Sequence, residues 1–372
     1  MKVLMTTDTV GGVWTYSLEL ARALGEQGVE IALATMGDPL SPSQRRAVAD
    51  VPDVTLFEST YKLEWMQDPW DDLERAGDWL LEVENRFEPD VIHLNSYVHG
   101  SLPWRAPLLV VGHSCVLSWW EAVKALPAPP EWDHYRELVM QGIRCAGLVV
   151  APSHTMLDAL DRHYGPFRNS GVIYNARNAG CFKPGGKGRL IFASGRLWDE
   201  AKNLRLVERI ASQVQWPVYM AGENVSPDGG MVEFGGMKHL GRLSQADMAQ
   251  WLGRAAICVH PARYEPFGLG VLEAALCGCA LVLGDIPSLR ELWSGCALFV
   301  SPDDAQGLRD ALELLINDPD LRHELANAAA EHARSFAPDR QADEYLDAYD
   351  LVMSRAMWPV TAEALPVGTT PG

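Results

Sequence analysis

The stretch Glu265-Pro266-Phe267-Gly268-Leu269-Gly270-Val271-Leu272-Glu273 is the most informative part of this chain. Two carboxylates flank a Gly-Leu-Gly segment that opens an apolar helix, which predicts one acid in the loop and the other about one turn inside the helix. Helix N-termini with small residues bind phosphate groups, because their backbone N–H groups are free and the helix dipole favours an anion. Carboxylates accept hydrogen bonds from sugar or ribose hydroxyls. The stretch therefore indicates a site for a sugar nucleotide.

The composition is that of a globular protein large enough for two domains. The chain has 372 residues, of which 48% are hydrophobic and 22% are charged. No apolar run reaches the roughly 18 residues that a membrane-spanning helix needs, and the opening Met1–Met5 is interrupted too soon to be a signal peptide. The seven cysteines form no C-x-x-C pair, so we expect reduced, mostly buried thiols and a cytoplasmic protein.

The charge balance argues against two classes of partner. The net charge is −18, and both halves are acidic: residues 1–175 carry 13 Lys and Arg against 24 Asp and Glu, a balance of −11. Nucleic acid and anionic membranes repel such a surface, so we expect neither as a partner. A chain this acidic must concentrate its few cations locally if it binds a diphosphate.

Strand-like and helical segments alternate along the chain, which predicts βαβ units and mainly parallel sheets. Strands are expected at Lys2–Thr6, Val29–Ala34, Val54–Phe57, Val91–Leu94, Leu108–Gly112, Leu148–Ala151, Val172–Tyr174, Leu190–Ala193, Val218–Ala221, Ile257–His260, Ala280–Leu283 and Leu298–Val300. Helices are expected at Val13–Leu24, Asp71–Phe87, Asn203–Ser212, Gln245–Arg254, Gly268–Cys277, Asp304–Asn317, Pro319–Ser335 and Pro338–Met357.

The glycine-rich segment Asn175–Gly188 is typical of a linker between domains. It separates a domain at 1–175 from a second at 176–337, both doubly wound. The tail 359–372 is rich in Pro, Gly and Thr, and we expect it to be disordered. Because ligands of such sheets bind outside the carboxyl ends of the strands, a cleft between two facing domains is the natural active site.

Gly11 and Gly12 follow the first strand and open the first helix. Glycines at this point let a backbone approach an anion closely, although a tight strand-to-helix turn needs them as well. A nicotinamide dinucleotide fingerprint would require a further glycine at position 16, which is Tyr. We therefore reject that fingerprint and leave the first two interpretations open.

Two cations follow the first strand of the second domain. Arg196 and Lys202 are close enough in sequence to converge on one ligand, and the pairing suits a diphosphate. The alternative is a pair of solvated surface cations. The acids between them, Asp199 and Glu200, would repel a diphosphate, so we expect both to face solvent.

His113 ends a strand in the first domain, where ligands of parallel sheets bind. We expect it to hydrogen-bond a substrate hydroxyl; the alternative is a structural histidine. His93, His99 and His260 are expected to be structural. The sequence has no H-x-x-H, no H-E-x-x-H and no Cys/His cluster, so we expect no metal site and no cofactor.

Together these residues resemble the retaining family 4 glycosyltransferases of GT-B architecture, over most of the chain. The resemblance is carried by Gly11-Gly12, Gly112-His113-Ser114, Ser153 opening a helix, Val172-Ile173-Tyr174-Asn175, Gly195-Arg196 with Lys202-Asn203, Gly241-Arg242-Leu243-Ser244, and the E-x7-E of Glu265 and Glu273. One departure stands out, because the family's Pro-Asn-Gly-Val before the linker is Tyr174-Asn175-Ala176-Arg177 here.

The resemblance implies roles at the leaving nucleotide. Arg196 and Lys202 would hold the diphosphate, together with the backbone N–H groups of Gly268 and Leu269, and Glu273 would bind the ribose. Two further residues would complete the nucleotide site: Leu240, beside the base, and Phe267, at the helix mouth.

The resemblance also implies roles at the sugar and in the fold. Glu265 and His113 would bind hydroxyls of the donor sugar, and Gly11 and Gly12 would lie near a phosphate or the acceptor. Two Rossmann-like domains would face each other across a cleft, the first for the acceptor and the second for the donor. The last helix, 338–357, would pack back on the first domain.

The activity implied is transfer of a hexose from a nucleoside-diphosphate sugar to a hydroxyl, with retention of configuration and without a metal. A UDP-sugar is favoured, with GDP- and ADP-sugars open, and the acceptor would be a small molecule or saccharide. The alternatives are a GT-B-like epimerase or hydrolase of a sugar nucleotide, and a catalytically silent sugar-nucleotide-binding protein. The sequence leaves the acceptor, the linkage and the oligomeric state open.

Overall fold

The structure is a computed structural model that describes residues 1–226 and 229–354. The chain divides into two compact units. Unit 1 comprises Met1–Ala176 together with the helix that begins at Pro338, and unit 2 comprises Arg177–Ala337. The division falls inside the segment Asn175–Gly188, whose composition is typical of a linker.

Unit 1 is built around a parallel sheet with the strand order β3-β2-β1-β4-β5-β6-β7. Its strands are β1 (Lys2–Asp8), β2 (Glu30–Met36), β3 (Val54–Glu58), β4 (Val91–Leu94), β5 (Leu108–Val111), β6 (Leu148–Ala151) and β7 (Ser170–Val172). Its helices are α1 (Gly12–Glu26), α2 (Pro42–Ala49), α3 (Trp70–Phe87), α4 (Val116–Lys124), α5 (Asp133–Arg144) and α6 (His154–Tyr164).

Unit 2 contains a second parallel sheet, with the order β10-β9-β8-β11-β12-β13. Its strands are β8 (Gly188–Ser194), β9 (Val218–Ala221), β10 (Lys238–His239), β11 (Ala255–His260), β12 (Ala280–Gly284) and β13 (Ala297–Val300). Its helices are α7 (Leu204–Ala211), α8 (Gln245–Arg254), α9 (Leu269–Leu276), α10 (Pro287–Trp293), α11 (Ala305–Asn317) and α12 (Pro319–Ala333).

The helix α13 (Pro338–Ser354) belongs to unit 1, where it packs against α1 and against the strands β4 and β5. Its buried face carries Tyr345 and Tyr349, both fully buried. These two rings reach the carboxyl end of β4, as described below. The end of the expected helix and the expected disordered tail lie outside the described residues.

The central strands are apolar because helices cover both faces of each sheet, so that no side of a strand meets water. Every residue of β5, β11 and β12 is buried. The order β3-β2-β1-β4 reverses direction between β1 and β4, and β8 and β11 mark the corresponding reversal in unit 2. Ligand sites of doubly wound sheets form at such reversals, beyond the carboxyl ends of the strands.

Most expected elements are present, with two informative differences. Strand β7 covers Ser170–Val172 instead of Val172–Tyr174, because its register is set by pairing of Ser170 with Val149 and of Val172 with Ala151. The two-residue strand β10 and the helices α2, α4, α5 and α10 were not among the expected elements. Helix α2 had a readable signal, since Ser41 and Gln44 form a capping box around Pro42.

No helix in the described part of the chain is long and apolar enough to cross a membrane.

Candidate active site

In unit 2, the loop after β8 brings both predicted cations to the carboxyl edge of the sheet. The N–H of Gly195 donates to the carbonyl of Ala221 (3.2 Å), which holds the loop against the neighbouring strand β9. Gly195 has a φ of 156°, and a Cβ there would lie 3.2 Å from Cγ of Lys202. The stem of Lys202 therefore passes directly over this glycine.

Lys202 and Glu265 form a largely buried ion pair, and His260 contacts the same carboxylate. Oε2 of Glu265 accepts from Nζ of Lys202 at 2.7 Å and from Nε2 of His260 at 2.8 Å. Burial raises the pKa of the Glu265 carboxyl, but the Lys202 charge and the His260 hydrogen bond outweigh it and hold that pKa well below its ordinary range. Glu265 is therefore ionised at any physiological pH, and both of these contacts fall on Oε2.

Arg196 is held by an acid that was expected to face solvent. Nη2 of Arg196 donates to Oδ2 of Asp199 (2.7 Å), while Oδ1 of Asp199 accepts from the N–H of Ala201 (3.0 Å). The expectation was wrong for Asp199, which is buried because it caps the 3₁₀ turn Glu200–Lys202 and fixes the arginine. Burial raises the pKa of Asp199, but the charge of Arg196 and the hydrogen bonds to the carboxylate lower that pKa by more. The carboxyl is therefore ionised. Glu200 is exposed, as expected.

The mouth of α9 adjoins this ion pair. Gly268, with a φ of 91°, is the N-cap of α9, and a Cβ at this residue would lie 3.2 Å from Cγ of Glu265. No side chain caps the helix, and the first intrahelical donors are Val271 and Leu272, which bond the carbonyl of Gly268. The N–H of Leu269 precedes those bonds, as an anion site requires.

The ring of Phe267 does not face the helix mouth. It is buried against Phe336, with ring centroids 5.5 Å apart and planes at 88°. The structure therefore leaves only the backbone of Phe267 at the position expected for the nucleotide.

Glu273 lies one turn inside α9, where its Oε1 is 2.9 Å from Nε of Arg177. Both side chains are shielded, with 3% of Arg177 and 14% of Glu273 exposed. Glu273, which was predicted to bind the ribose, is thus held by Arg177, which lies where the sequence departs from the family motif.

Leu240 follows the edge strand β10 and lies at the same edge of the sheet as the cations. Its N–H donates to the carbonyl of Met220 (2.8 Å), and the carbonyl of Gly241 accepts from Gly222 (2.9 Å). Nε2 of His239 lies 3.2 Å from the carbonyl oxygen of Gly222. The predicted base-lining segment is therefore attached to β9, the neighbour of β8.

In unit 1, Gly11 and Gly12 lie at the start of α1, where β1 meets the helix. Gly11 is the N-cap with a φ of 107°, which a residue with a Cβ adopts only under strain, and no side chain caps the helix. The carboxylate of Asp8 accepts from the N–H of Val10 (3.2 Å) within the same loop. Gly11 thus serves the tight turn, and the N-terminus of α1 has an acid beside it.

His113 follows β5 and is locked by Asn95, which follows β4. Nδ2 of Asn95 donates to the carbonyl of Thr6 (2.7 Å), so Oδ1 must be the atom that meets Nε2 of His113 at 2.7 Å. Burial, together with the neighbouring His93, lowers the pKa of His113 to about 3. The neutral ring therefore carries its proton on Nε2 and presents the lone pair of Nδ1.

A buried tyrosine–histidine network supports this arrangement from α13. The hydroxyl of Tyr349 meets Nδ1 of His93 (2.7 Å), and Nε2 of His93 is 3.3 Å from Oδ1 of Asn95. Tyr16 donates to the hydroxyl of Tyr345 (2.6 Å) and packs edge-on to His113 with centroids 4.4 Å apart. His93 is structural, as expected, and it helps to fix Asn95.

Sequence reasoning missed three residues of these two clusters. Asn95 had a signal, since a polar residue directly follows the apolar strand Val91–Leu94. Arg177 was noted only as a departure from a motif. His260 was expected to be structural, but it lies on the carboxylate of Glu265, a contact that no local pattern predicts.

Two cavities lie in unit 1. One, at the carboxyl edge of the sheet, is lined by Thr6, Thr7, Asp8, Val13, Met36, Leu63, Glu64, Trp65, Asn95, Ser96, Tyr97, His113 and Ser114. The other, of about 430 Å³, lies around α4, α5 and the loop between them and contains none of the predicted site residues. Within residues 1–226 and 229–354, no group of three or more His, Cys, Asp or Glu side chains is placed to hold a metal ion.

Two family models match the chain over most of its length. The model for Glycosyltransferase Family 4 matches residues 10–179, and the model for Glycosyl transferases group 1 matches residues 188–318. The chain belongs to the family 4 glycosyltransferases. The enzyme is therefore a transferase, and the two matches correspond closely to unit 1 and unit 2.

Curated relatives agree with this assignment. The glycosyltransferase is 24% identical over 409 aligned residues to the D-inositol 3-phosphate glycosyltransferase of Thermobispora bispora, covering 94% of this chain and 92% of that one. A protein of the same name from Arthrobacter sp. is 33% identical over 127 residues, a segment that spans only 30% of that relative's length.

Solved structures show that the fold of the glycosyltransferase is GT-B. A sucrose-phosphate synthase from Thermosynechococcus elongatus matches with a TM-score of 0.80 and 16% identity, over 96% of this chain and all of that chain. The Anabaena protein Alr3699/HepE, solved in complex with UDP-glucose, matches with a TM-score of 0.74 and 19% identity, over 94% of this chain and all of that one.

Proposed function

We propose that this glycosyltransferase moves a hexosyl group from a nucleoside-diphosphate sugar to a hydroxyl of an acceptor, with retention of configuration and without a metal ion. One observation carries the proposal: Lys202 and His260 converge on one carboxylate oxygen of Glu265, beside the uncapped N-terminus of α9. This arrangement brings positive charge, backbone N–H groups and an ionised acceptor of hydroxyl hydrogen bonds together within unit 2.

Glu265 and Asp199 orient Lys202 and Arg196 but take only some of their hydrogen-bond donors. An ammonium has three donors, of which the pair with Glu265 uses one, and a guanidinium has five, of which Asp199 takes one. Lys202 and Arg196 therefore keep donors for the two phosphates of a donor sugar. Oε1 of Glu265 is left for a sugar hydroxyl, and Leu269 adds a backbone N–H for the terminal phosphate.

The same groups act on the reaction. As the bond between the sugar C1 and the phosphate oxygen breaks, its electron pair moves onto the diphosphate, where Arg196, Lys202 and the helix N-terminus stabilise it. One preorganised donor of this kind contributes about 3 kcal/mol to the transition state. The acceptor oxygen then bonds to C1 on the same face, and its proton passes to the leaving phosphate oxygen. Glu265 thus positions the sugar and is not the nucleophile.

His113, in unit 1, would bind a substrate hydroxyl. Its neutral ring offers the lone pair of Nδ1, so it accepts a hydrogen bond from a hydroxyl instead of donating one. A histidine with a pKa of about 3 is too weak a base to deprotonate the acceptor at neutral pH. His113 is therefore a binding group in this proposal.

A UDP-sugar is the favoured donor, supported by the likeness to a protein solved with UDP-glucose. The test is a thermal-shift screen against UDP-, GDP- and ADP-sugars, because a tightly bound donor raises the melting temperature by mass action. We expect the largest shift with a UDP-sugar, and donor consumption that depends on an acceptor. Rapid donor turnover in the absence of any acceptor would instead indicate the alternative, an epimerase or hydrolase.

A further inference from the structure

The cavity at the carboxyl edge of the sheet in unit 1 has acidic side chains in its lining. Its acidic lining residues are Asp8 and Glu64, and the histidine in the lining, His113, is neutral. None of the residues that line it, all within the described part of the chain, is Lys or Arg. A phosphate group in this cavity would find no cation to pair with.

Glu64 adds no positive charge to the cavity, and it occupies the nearest backbone donors. Its carboxylate accepts from the N–H groups of Tyr97 (3.1 Å) and Val98 (3.0 Å), at the start of a 3₁₀ turn. Burial raises the pKa of Glu64 to about 7, although these two hydrogen bonds lower it. The backbone donors are already committed to Glu64, so they cannot serve a second anion.

Lys62, which precedes the lining residue Leu63 in the chain, is held within its own loop. The ammonium of Lys62 donates to the carbonyls of Gln67 (2.9 Å) and Asp68 (3.4 Å) in its own loop. The N-terminus of α1 would attract an anion, but Asp8 lies in the loop leading into it and accepts from Val10. An anionic ligand at that helix mouth would lie beside a carboxylate.

The remaining lining suits a neutral sugar. The hydroxyl of Ser96 is buried without a hydrogen-bond partner among the described residues, which marks a polar group that a ligand can satisfy. Trp65 is partly exposed and can pack against the C–H face of a sugar ring. The carboxylate of Asp8 can accept hydrogen bonds from hydroxyls.

We propose that this cavity, of about 60 Å³, takes part of an uncharged polyol or sugar acceptor and disfavours a phosphorylated one. The inference rests on the proposed function, since it assigns the acceptor to unit 1. A preference for a neutral acceptor would distinguish this chain from the relatives whose name specifies inositol 3-phosphate, a phosphorylated compound.

The test compares matched acceptors on the full-length enzyme. Transfer from the donor with the largest thermal shift is measured to myo-inositol and inositol 3-phosphate, glucose and glucose 6-phosphate, and fructose and fructose 6-phosphate. We expect kcat/KM to favour the neutral member of each active pair by about ten-fold or more, because like charges in one site repel strongly. An equal or higher kcat/KM for the phosphorylated member would overturn the proposal.

A charge-neutral variant tests the cause of the preference. Asp8→Asn should raise kcat/KM for the phosphorylated member of a pair several-fold relative to the neutral member. Asp38→Asn is the control, since Asp38 is exposed and does not line the cavity, and it should leave the ratio unchanged. An unchanged ratio in a folded Asp8→Asn enzyme would contradict the role of Asp8. The thermal shift by the donor is read separately, so failure of the acceptor preference is distinct from failure of the proposed function.

Discussion

Arg177 and Glu273 form a shielded ion pair, with Nε of the arginine 2.9 Å from Oε1 of the glutamate. Arg177 is the first residue of unit 2, and its N–H bonds the carbonyl of Phe336 (3.2 Å), near the point where the chain returns to unit 1. Its guanidinium also lies 4.8 Å from the ring centroid of Phe182. The acid proposed to bind the ribose is therefore anchored to the segment where the chain enters unit 2.

We predict that Arg177→Met destabilises the protein by about 3 kcal/mol, because it removes the arginine from a largely buried carboxylate. The same change should raise the donor KM, since Glu273 loses the group that orients it. Urea unfolding and donor kinetics measure the two effects. Arg189→Met, at an exposed arginine of β8, is the control and should change neither. Native stability and a native donor KM in Arg177→Met would contradict the positioning role.

We predict that Lys202→Ala and Arg196→Ala each lower turnover by about ten-fold or more, because each removes a cation from the leaving diphosphate. Part of each carboxylate's stabilisation remains, since Glu265 keeps its bond from His260 and Asp199 keeps its bond from the N–H of Ala201. Steady-state kcat with a saturating UDP-sugar is the measurement.

The matched controls for these two changes are Lys183→Ala and Arg205→Ala, at exposed cations of the same unit. Both should turn over at the native rate. Near-native turnover in Lys202→Ala or Arg196→Ala would remove that residue from the diphosphate role.

We predict that Asn95→Asp gives the enzyme a new acidic limb in its pH profile. A carboxylate opposite Nε2 raises the pKa of His113 from about 3, so the ring becomes protonated as the pH falls and loses its Nδ1 acceptor. In the native enzyme His113 stays neutral from about pH 5 to about pH 8 and contributes no limb there.

The measurement is kcat/KM against pH, together with the NMR titration of the His113 ring. Asn85→Asp, at an exposed position of α3, is the control for the added charge. A profile for Asn95→Asp that matches the native one, with His113 still neutral, would refute the assigned contact between residue 95 and Nε2 of His113.

We predict a pH-dependent effect for Glu64→Gln on stability. The folded protein holds the proton of Glu64 up to a pKa of about 7, whereas the ordinary value is 4.5, so the native protein loses stability as the pH rises through this window. Glutamine has no proton to lose. The stability of the native protein relative to the variant should therefore fall between about pH 4.5 and about pH 7.

Urea unfolding at both ends of this window measures the difference, and Glu74→Gln at an exposed position of α3 is the control. A stability difference that stays constant or increases with pH would contradict the raised pKa of Glu64.

Sequence alone was sufficient for elements with a strong local signal. The helix expected at Gln245–Arg254 is confirmed as α8 with both ends correct, since Ser244 caps it through the N–H of Asp247. The parallel sheets followed from alternating strands and helices. Shorter elements such as β10 carried too few residues for a pattern, and the register of β7 depends on its partner β6.

The site was only partly readable for a related reason. The order of motifs indicated Glu265, Lys202 and Arg196, because each lies at the end of a strand or at the start of a helix. The pairing among side chains depends on packing between distant segments: Tyr349 reaches His93 across 256 positions. Asp199 was misjudged because its local sequence suggested repulsion, whereas the fold uses it to orient Arg196.

The central claim is that unit 2 binds a nucleoside diphosphate through its own cations, without a metal. Calorimetry with UDP in the presence of EDTA tests it most directly, on the native enzyme and on the double variant Arg196→Ala/Lys202→Ala. We predict binding by the native enzyme that EDTA does not change and that the double variant weakens by about 100-fold, since hydrogen bonds from two charged groups are lost. Binding that requires Mg²⁺ or Mn²⁺, or equal affinity in the double variant, would contradict the account.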